Sequence, residues 1–270
     1  MQSITMLPGS LQEQGSIQNI FRKVSALSMA VSSLLLAPYA LAQIHTDEIK
    51  VGTRLTAAGI TMRGGAAPVL PLPPGHWEVV GRSDGDLGLK TNYGKEVTPT
   101  SKVDLTMVNR DMTGPVAVVV AEYLPDGKNI DWTNVLCAQG NESFVDTVGT
   151  STSTIDYACA RVRYNQTGLK AFIANSPKSE NQWTKKYVSP LAPYSKSMPD
   201  TGILVFLNVN RDKERAFVMT VLARSNFAAN FNESFDNAVR SWVNATGKAL
   251  IAATYGRFEA IPEFPVASEP

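Results

Sequence analysis

The sequence predicts an α+β protein: an antiparallel β-sheet built from hairpins, with a long C-terminal helix packed on one face and one disulfide. Three observations carry this. Two pairs of apolar runs flank polar turns, as hairpins require. A helical spacing of apolar residues is confined to the last part of the chain. Strand runs and the helix run are separated along the sequence rather than alternating, which argues against βαβ units.

Residues 1–42 read as a secretory signal peptide. Arg22 and Lys23 form a positive start, Val24 to Ala37 is an uncharged apolar run, Pro38 breaks it, and Ala40-Leu41-Ala42 supplies the small residues of a cleavage site. The run is shorter than the ~20 residues that span a bilayer, so no stable membrane span is expected after cleavage. Residues 43–73 read as an extended connector rich in Gly, Ala and Pro, because residues before proline avoid the helical region.

A single α+β domain is expected over 74–258. HWEVVGRS alternates around Trp77, Val79 and Gly81, and 90–102 reads as loop. VDLTMVNR and PVAVVVAEYL pair through a turn at Asp111 to Gly114. The second run is apolar on both faces, as a central strand is. A short helix over 126–141 would carry Trp132 and Leu136. From Ile155 an alternating strand puts Cys159 and Arg161 on one face. The region 175–200 is rich in proline and loop, with a short helix from Glu180 to Tyr187. GILVFLNVN and RAFVMTVLAR form the second hairpin, around Arg211 to Glu214. The helix that follows carries Phe235, Val239, Trp242 and Leu250 three or four apart. Asn232 is its expected N-cap, Glu233 and Asp236 suit its positive end, and Gly256 its stop. Residues 259–270 read as a frayed tail.

The two cysteines of the chain, Cys137 and Cys159, are expected to form a structural disulfide. Two thiols cannot complete a four-ligand zinc site, and the spacing is not that of a CxxC redox pair. Such a bond would contribute about 3 kcal/mol by constraining the unfolded chain.

Removing the leader takes two of 25 basic and one of 24 acidic residues, leaving 23 of each. A dispersed balance of this kind gives no basic surface for nucleic acid or anionic lipid. Of two histidines, His45 lies beside the expected cleavage site and His76 at a strand edge, read as a surface residue. No G-x-S-x-G elbow or phosphate loop occurs. No catalytic residue, metal site or cofactor is therefore assigned. Asp104 with Glu122, and Asp146 with Asp156, are the carboxylates that a glycosidase-like pair would need; they read as solvated outer-face residues. Trp183, Tyr187 and Tyr194, beside Lys185 and Lys186, form a candidate ligand groove in the loop-rich region.

LPPGHWEVV, the hairpin VDLTMVNR to VAVVVAEYL, the spaced cysteines and FDNAVRSWVNATGKALIAATYGRF together resemble a broad group of secreted proteobacterial proteins of unassigned function. The resemblance spans most of 70–258 and implies a bacterial exported domain, periplasmic or secreted; it brings no catalytic residue. The expected function is an exported, non-catalytic binding or cell-envelope accessory protein, with another envelope protein as a candidate partner. The alternatives are a carboxylate-dependent envelope hydrolase and a subunit of an envelope or secretion complex.

Overall fold

The computed structural model describes residues 44–46, 48–55, 59–61, 69–84, 89–90, 96–97, 100–112, 114–124, 143–147, 156–211, 215–224 and 233–265. All belong to one compact unit, Ala42–Pro270. Residues 1–42, read as a signal peptide, the helix expected over 126–141, Cys137 and the expected N-cap Asn232 lie outside the described residues.

Four short strands open the chain: β1 (Ile44–His45), β2 (Arg54–Leu55), β3 (Gly59–Thr61) and β4 (Val69–Pro71). β5 (Trp77–Ser83), β6 (Leu89–Lys90), β7 (Glu96–Val97), β8 (Thr100–Asn109) and β9 (Pro115–Leu124) follow. β10 (Phe144–Thr147), β11 (Asp156–Gln166), β12 (Gly202–Arg211) and β13 (Arg215–Arg224) are the remaining strands among the described residues. Eight strands form one antiparallel sheet in the order β10-β11-β12-β13-β9-β8-β5-β2. β9, apolar on both sides, lies inside it between β13 and β8. Among the described residues, two α-helices accompany the sheet: α1 (Leu169–Asn175) and α2 (Glu233–Thr254).

One face of the sheet forms the main core. Leu105, Met107, Val118, Val120, Val205 and Leu207 are fully buried there, together with Val239, Trp242 and Leu250 of α2. Tyr164 of β11 donates to Asp236 (2.7 Å), and Arg240 bonds the other oxygen of the same carboxylate. The helix ends where Gly256 takes a positive φ of 71°, a conformation glycine adopts without strain, and Arg257 N–H caps the Ala252 carbonyl (3.0 Å).

Three expectations change. The segment 43–73 is more than a connector: β2 joins the main sheet, Arg82 donates to the Thr46 carbonyl (2.7 Å), and Ile49, Leu55, Ile60 and Leu70 enter the core. The tail is docked as far as residue 265. Ile261 and Phe264 are buried, Trp242 Nε1 donates to the Pro262 carbonyl (3.0 Å), and Phe264 meets the Trp242 ring edge-on at 4.9 Å. The segment 90–102 contains β7 and the start of β8. In the first two cases a few apolar residues find a prepared surface, which outweighs weak local patterning.

The second face is covered as well. Above it lie α1, a 3₁₀ turn at Ser176–Lys178, a π turn at Thr184–Val188 and a 3₁₀ run at Ser189–Ser197. Leu169, Ile173, Val188 and Leu191 pack there with Val108, Ala117 and Leu222 in a second, smaller core. The run at Ser189–Ser197 sits close to β5, where a Cβ placed on Gly81 would stand 2.7 Å from the Pro190 ring.

Candidate functional site

Strand register builds the site from below. Arg163, Leu204, Leu222 and Ala117 lie side by side on β11, β12, β13 and β9. The neighbouring row carries Arg161, Phe206, Thr220 and Val119. Side chains alternate along strands, so both rows face away from α2. At about 4.8 Å per strand, the four-strand row spans about 14 Å. Leu169 and Ile173 of α1, with Val188 and Leu191, close over it and leave a cavity of about 410 Å³. That lies within the range of small-molecule sites, roughly 300–1,000 Å³.

The cavity is apolar inside and aromatic where it opens. Ala117, Leu169, Ile173, Leu191 and Leu222 are buried, whereas Phe172 and Trp183, also part of the wall, are 50% and 40% exposed. Tyr187 forms a third aromatic wall, its ring 5.6 Å from that of Trp183 and tilted by 53°. Arg163 is the one charged residue among the described lining, and no carboxylate, histidine or cysteine is among them. Its guanidinium stands 5.7 Å from the Phe206 ring centre and that of Arg161 stands 5.2 Å from it, both within cation–π range. Both guanidinium groups therefore lie against the Phe206 ring at the β11 end of the rows.

The opposite end is held shut by polar ties. Tyr187 Oη donates to Asp104 Oδ2 (3.1 Å), the Lys186 ammonium bonds the same oxygen, and Thr106 Oγ1 donates to the Tyr187 carbonyl (3.2 Å). Asp104 is 2% exposed, which corrects its reading as a solvated outer-face residue. A carboxylate can be buried when a cation and hydrogen bonds replace its water. Asp104 stands opposite Ala121 in the strand register and Glu122 opposite Val103, so the two carboxylates are not cross-strand partners. Likewise Asp146 pairs with Ala160, and Asp156 with Arg211.

The five residues of the sequence-based groove thus part company. Trp183 and Tyr187 line the cavity, Lys185 is exposed, and Lys186 is drawn to Asp104. Tyr194 donates to Glu78 Oε1 (3.0 Å); burial, and then that carboxylate, push its pKa above the usual phenol value. Arg163, Phe172, Leu204, Phe206 and Leu222 were not singled out from the sequence. The usable signal was Leu204 and Phe206, large apolar residues alternating on the outer side of a strand whose inner side is also apolar.

Elsewhere, His76 Nδ1 and Asp111 Oδ2 stand 2.6 Å apart, with the imidazole 63% exposed and the pair outside the cavity wall. Cys159 is buried opposite Asn208, and no described cysteine is free. Among the described residues, no cluster of three His, Cys, Asp or Glu could hold a metal ion, and no helix is long and apolar enough to cross a membrane. Compared with protein-family models, curated proteins and solved structures, the chain matches none.

Proposed function

We propose that this chain is an exported, non-catalytic binding protein whose cavity on the second sheet face takes an apolar small molecule. The observation that carries the reading is the wall itself: aliphatic in depth, aromatic at the opening, and without a carboxylate or histidine among its described residues. Such a wall rewards burial of apolar surface, at about 25 cal/mol per Å², and supplies no acid–base pair for hydrolysis. The exposed Phe172 and Trp183 rings suit capture of a ligand from water. Export to the periplasm or beyond belongs to the same proposal, as do membership of the secreted proteobacterial group and a Cys137–Cys159 disulfide that would tie the chain before β10 to β11. These rest on the leader, the quoted motifs and the paired cysteines.

Titration of the purified full chain with the apolar fluorophore Nile red tests the binding reading. Saturable binding is expected, reduced at least about tenfold in Ala117→Trp, which fills the floor, and weakened in Phe172→Ala, which opens the wall without touching the core. Unsaturable binding, or equal affinity in all three proteins, would contradict it.

A further inference from the structure

A lone hydroxyl stands in the apolar floor of the cavity. Thr220 of β13 is 8% exposed and belongs to the wall, yet its side chain makes no hydrogen bond to a described residue. Its row neighbours are Phe206 on β12 and Val119 on β9, and Leu222 follows two residues along the same strand. Two strands further along that row, Thr106 is also buried, but its hydroxyl donates to the Tyr187 carbonyl. Thr46 and Thr246 are unpaired too, but their hydroxyls are sealed in the packing. Thr220 differs from all three, because it opens on a space of about 410 Å³. A hydroxyl carries one donor and two lone pairs, and leaving them bare in apolar surroundings costs free energy. A ligand oxygen beside Thr220 would remove that cost.

The rest of the wall limits what else the ligand can carry. A sugar or a nucleoside would bring many polar groups to a floor that offers one, and each unpaired group is penalised. A ligand anion would have to compete for Arg163, which already has partners, the Phe206 ring among them. A ligand cation finds no carboxylate among the described lining. At about 30 Å³ per atom, the share of one water molecule, the cavity holds roughly a dozen non-hydrogen atoms. Thr220 lies two strands from β11, about 10 Å across the floor, so a chain of about eight carbons fits between them. On the binding reading above, we infer that the ligand is an uncharged aliphatic alcohol or ketone, its single oxygen hydrogen-bonded to Thr220 Oγ1.

Displacement of Nile red from the full chain by 1-octanol and by 1-chlorooctane tests this. The two probes have the same chain, and 1-chlorooctane lacks the hydroxyl. Alkane strongly prefers 1-chlorooctane, because it pairs no hydroxyl. In the native chain that preference is expected to be at least about tenfold smaller than in partition between water and hexadecane. An undiminished preference would overturn the inference, and this comparison needs no variant. Thr220→Val keeps the shape and removes the hydroxyl. It is expected to shift the ratio of the two affinities at least about fivefold towards 1-chlorooctane, with a thermal melt to show that the variant folds. A ratio that does not move would also overturn the inference. So would octanoate displacing the dye better than 1-octanol, in favour of a charged head group. In each of those results Nile red binds, so the apolar cavity stands and the oxygen site alone is lost. If Nile red does not bind saturably, the cavity reading fails first and the alcohol or ketone with it.

Discussion

The two faces of the sheet are filled by different means. On the α2 face, buried Val, Leu, Met and Trp side chains meet a helix of 22 residues, and the docked tail closes the edge. On the other face, a helix of seven residues and short 3₁₀ and π segments cover the same strands, and a cavity remains between them. A void in a core costs stability, about 24 cal/mol per Å³ where it is created by mutation. Retaining one beside a closed face points to use. The contrast also shows how short turns are held down: by specific polar ties and close contacts rather than by a continuous apolar stripe.

Mutations should separate the faces. Trp242→Ala removes the ring that joins α2 to the tail, and is expected to lower stability by about 3–5 kcal/mol in a denaturant melt. Lys186→Met should cost about as much, roughly 3–5 kcal/mol, because it removes the cation paired with the buried Asp104 carboxylate. Pairing it with Asp104→Leu should recover most of the loss. A cost under about 1 kcal/mol for Lys186→Met alone would mean that the pair does not hold the turns.

Gly81→Ala is a smaller break. The added methyl meets the Pro190 ring and Thr106, and is expected to cost about 1–3 kcal/mol and to weaken Nile red binding by displacing the overlying run. If stability and binding are both unchanged, the second face is looser than described.

On the α2 face, pH gives a graded test. Burial raises the pKa of Tyr164 well above its ordinary value of 10.0, and the bond to Asp236 raises it further. The unfolded chain loses that proton near its ordinary value while the folded chain keeps it, so unfolding becomes easier as pH rises above about 10. Below that pH the contribution is complete. Thermal melts between pH 9 and 11 should fall more steeply for the native chain than for Tyr164→Phe; equal slopes would contradict the assignment. Smallest of all, Phe172→Ala should change stability by less than about 0.5 kcal/mol, because the ring is half in water.

The same contrast explains what could be read from the sequence. The antiparallel sheet was legible because VDLTMVNR, PVAVVVAEYL, GILVFLNVN and RAFVMTVLAR each carry a long alternating or continuous apolar signal. β1 to β4 were not, since two or three residues have no period. α1 was hidden for a related reason. LKAFIAN is two turns long, follows Gly168 and has no side-chain cap, so its helix depends on Leu169 and Ile173 finding the sheet. The partner of Asp104 lies 83 residues away at Tyr187, and no local pattern announces it. Trp183 and Tyr187 stood out as aromatics among prolines. The opposite wall did not, because Arg163, Phe206 and Leu222 come together through strand pairing alone.

Hydrogen exchange of the full chain, free and saturated with Nile red, tests the central claim most directly. Added protection is predicted in α1 and in residues 184–197, with α2 unchanged. Protection that rises in α2 and not in those segments would place the ligand on the other face and contradict the account.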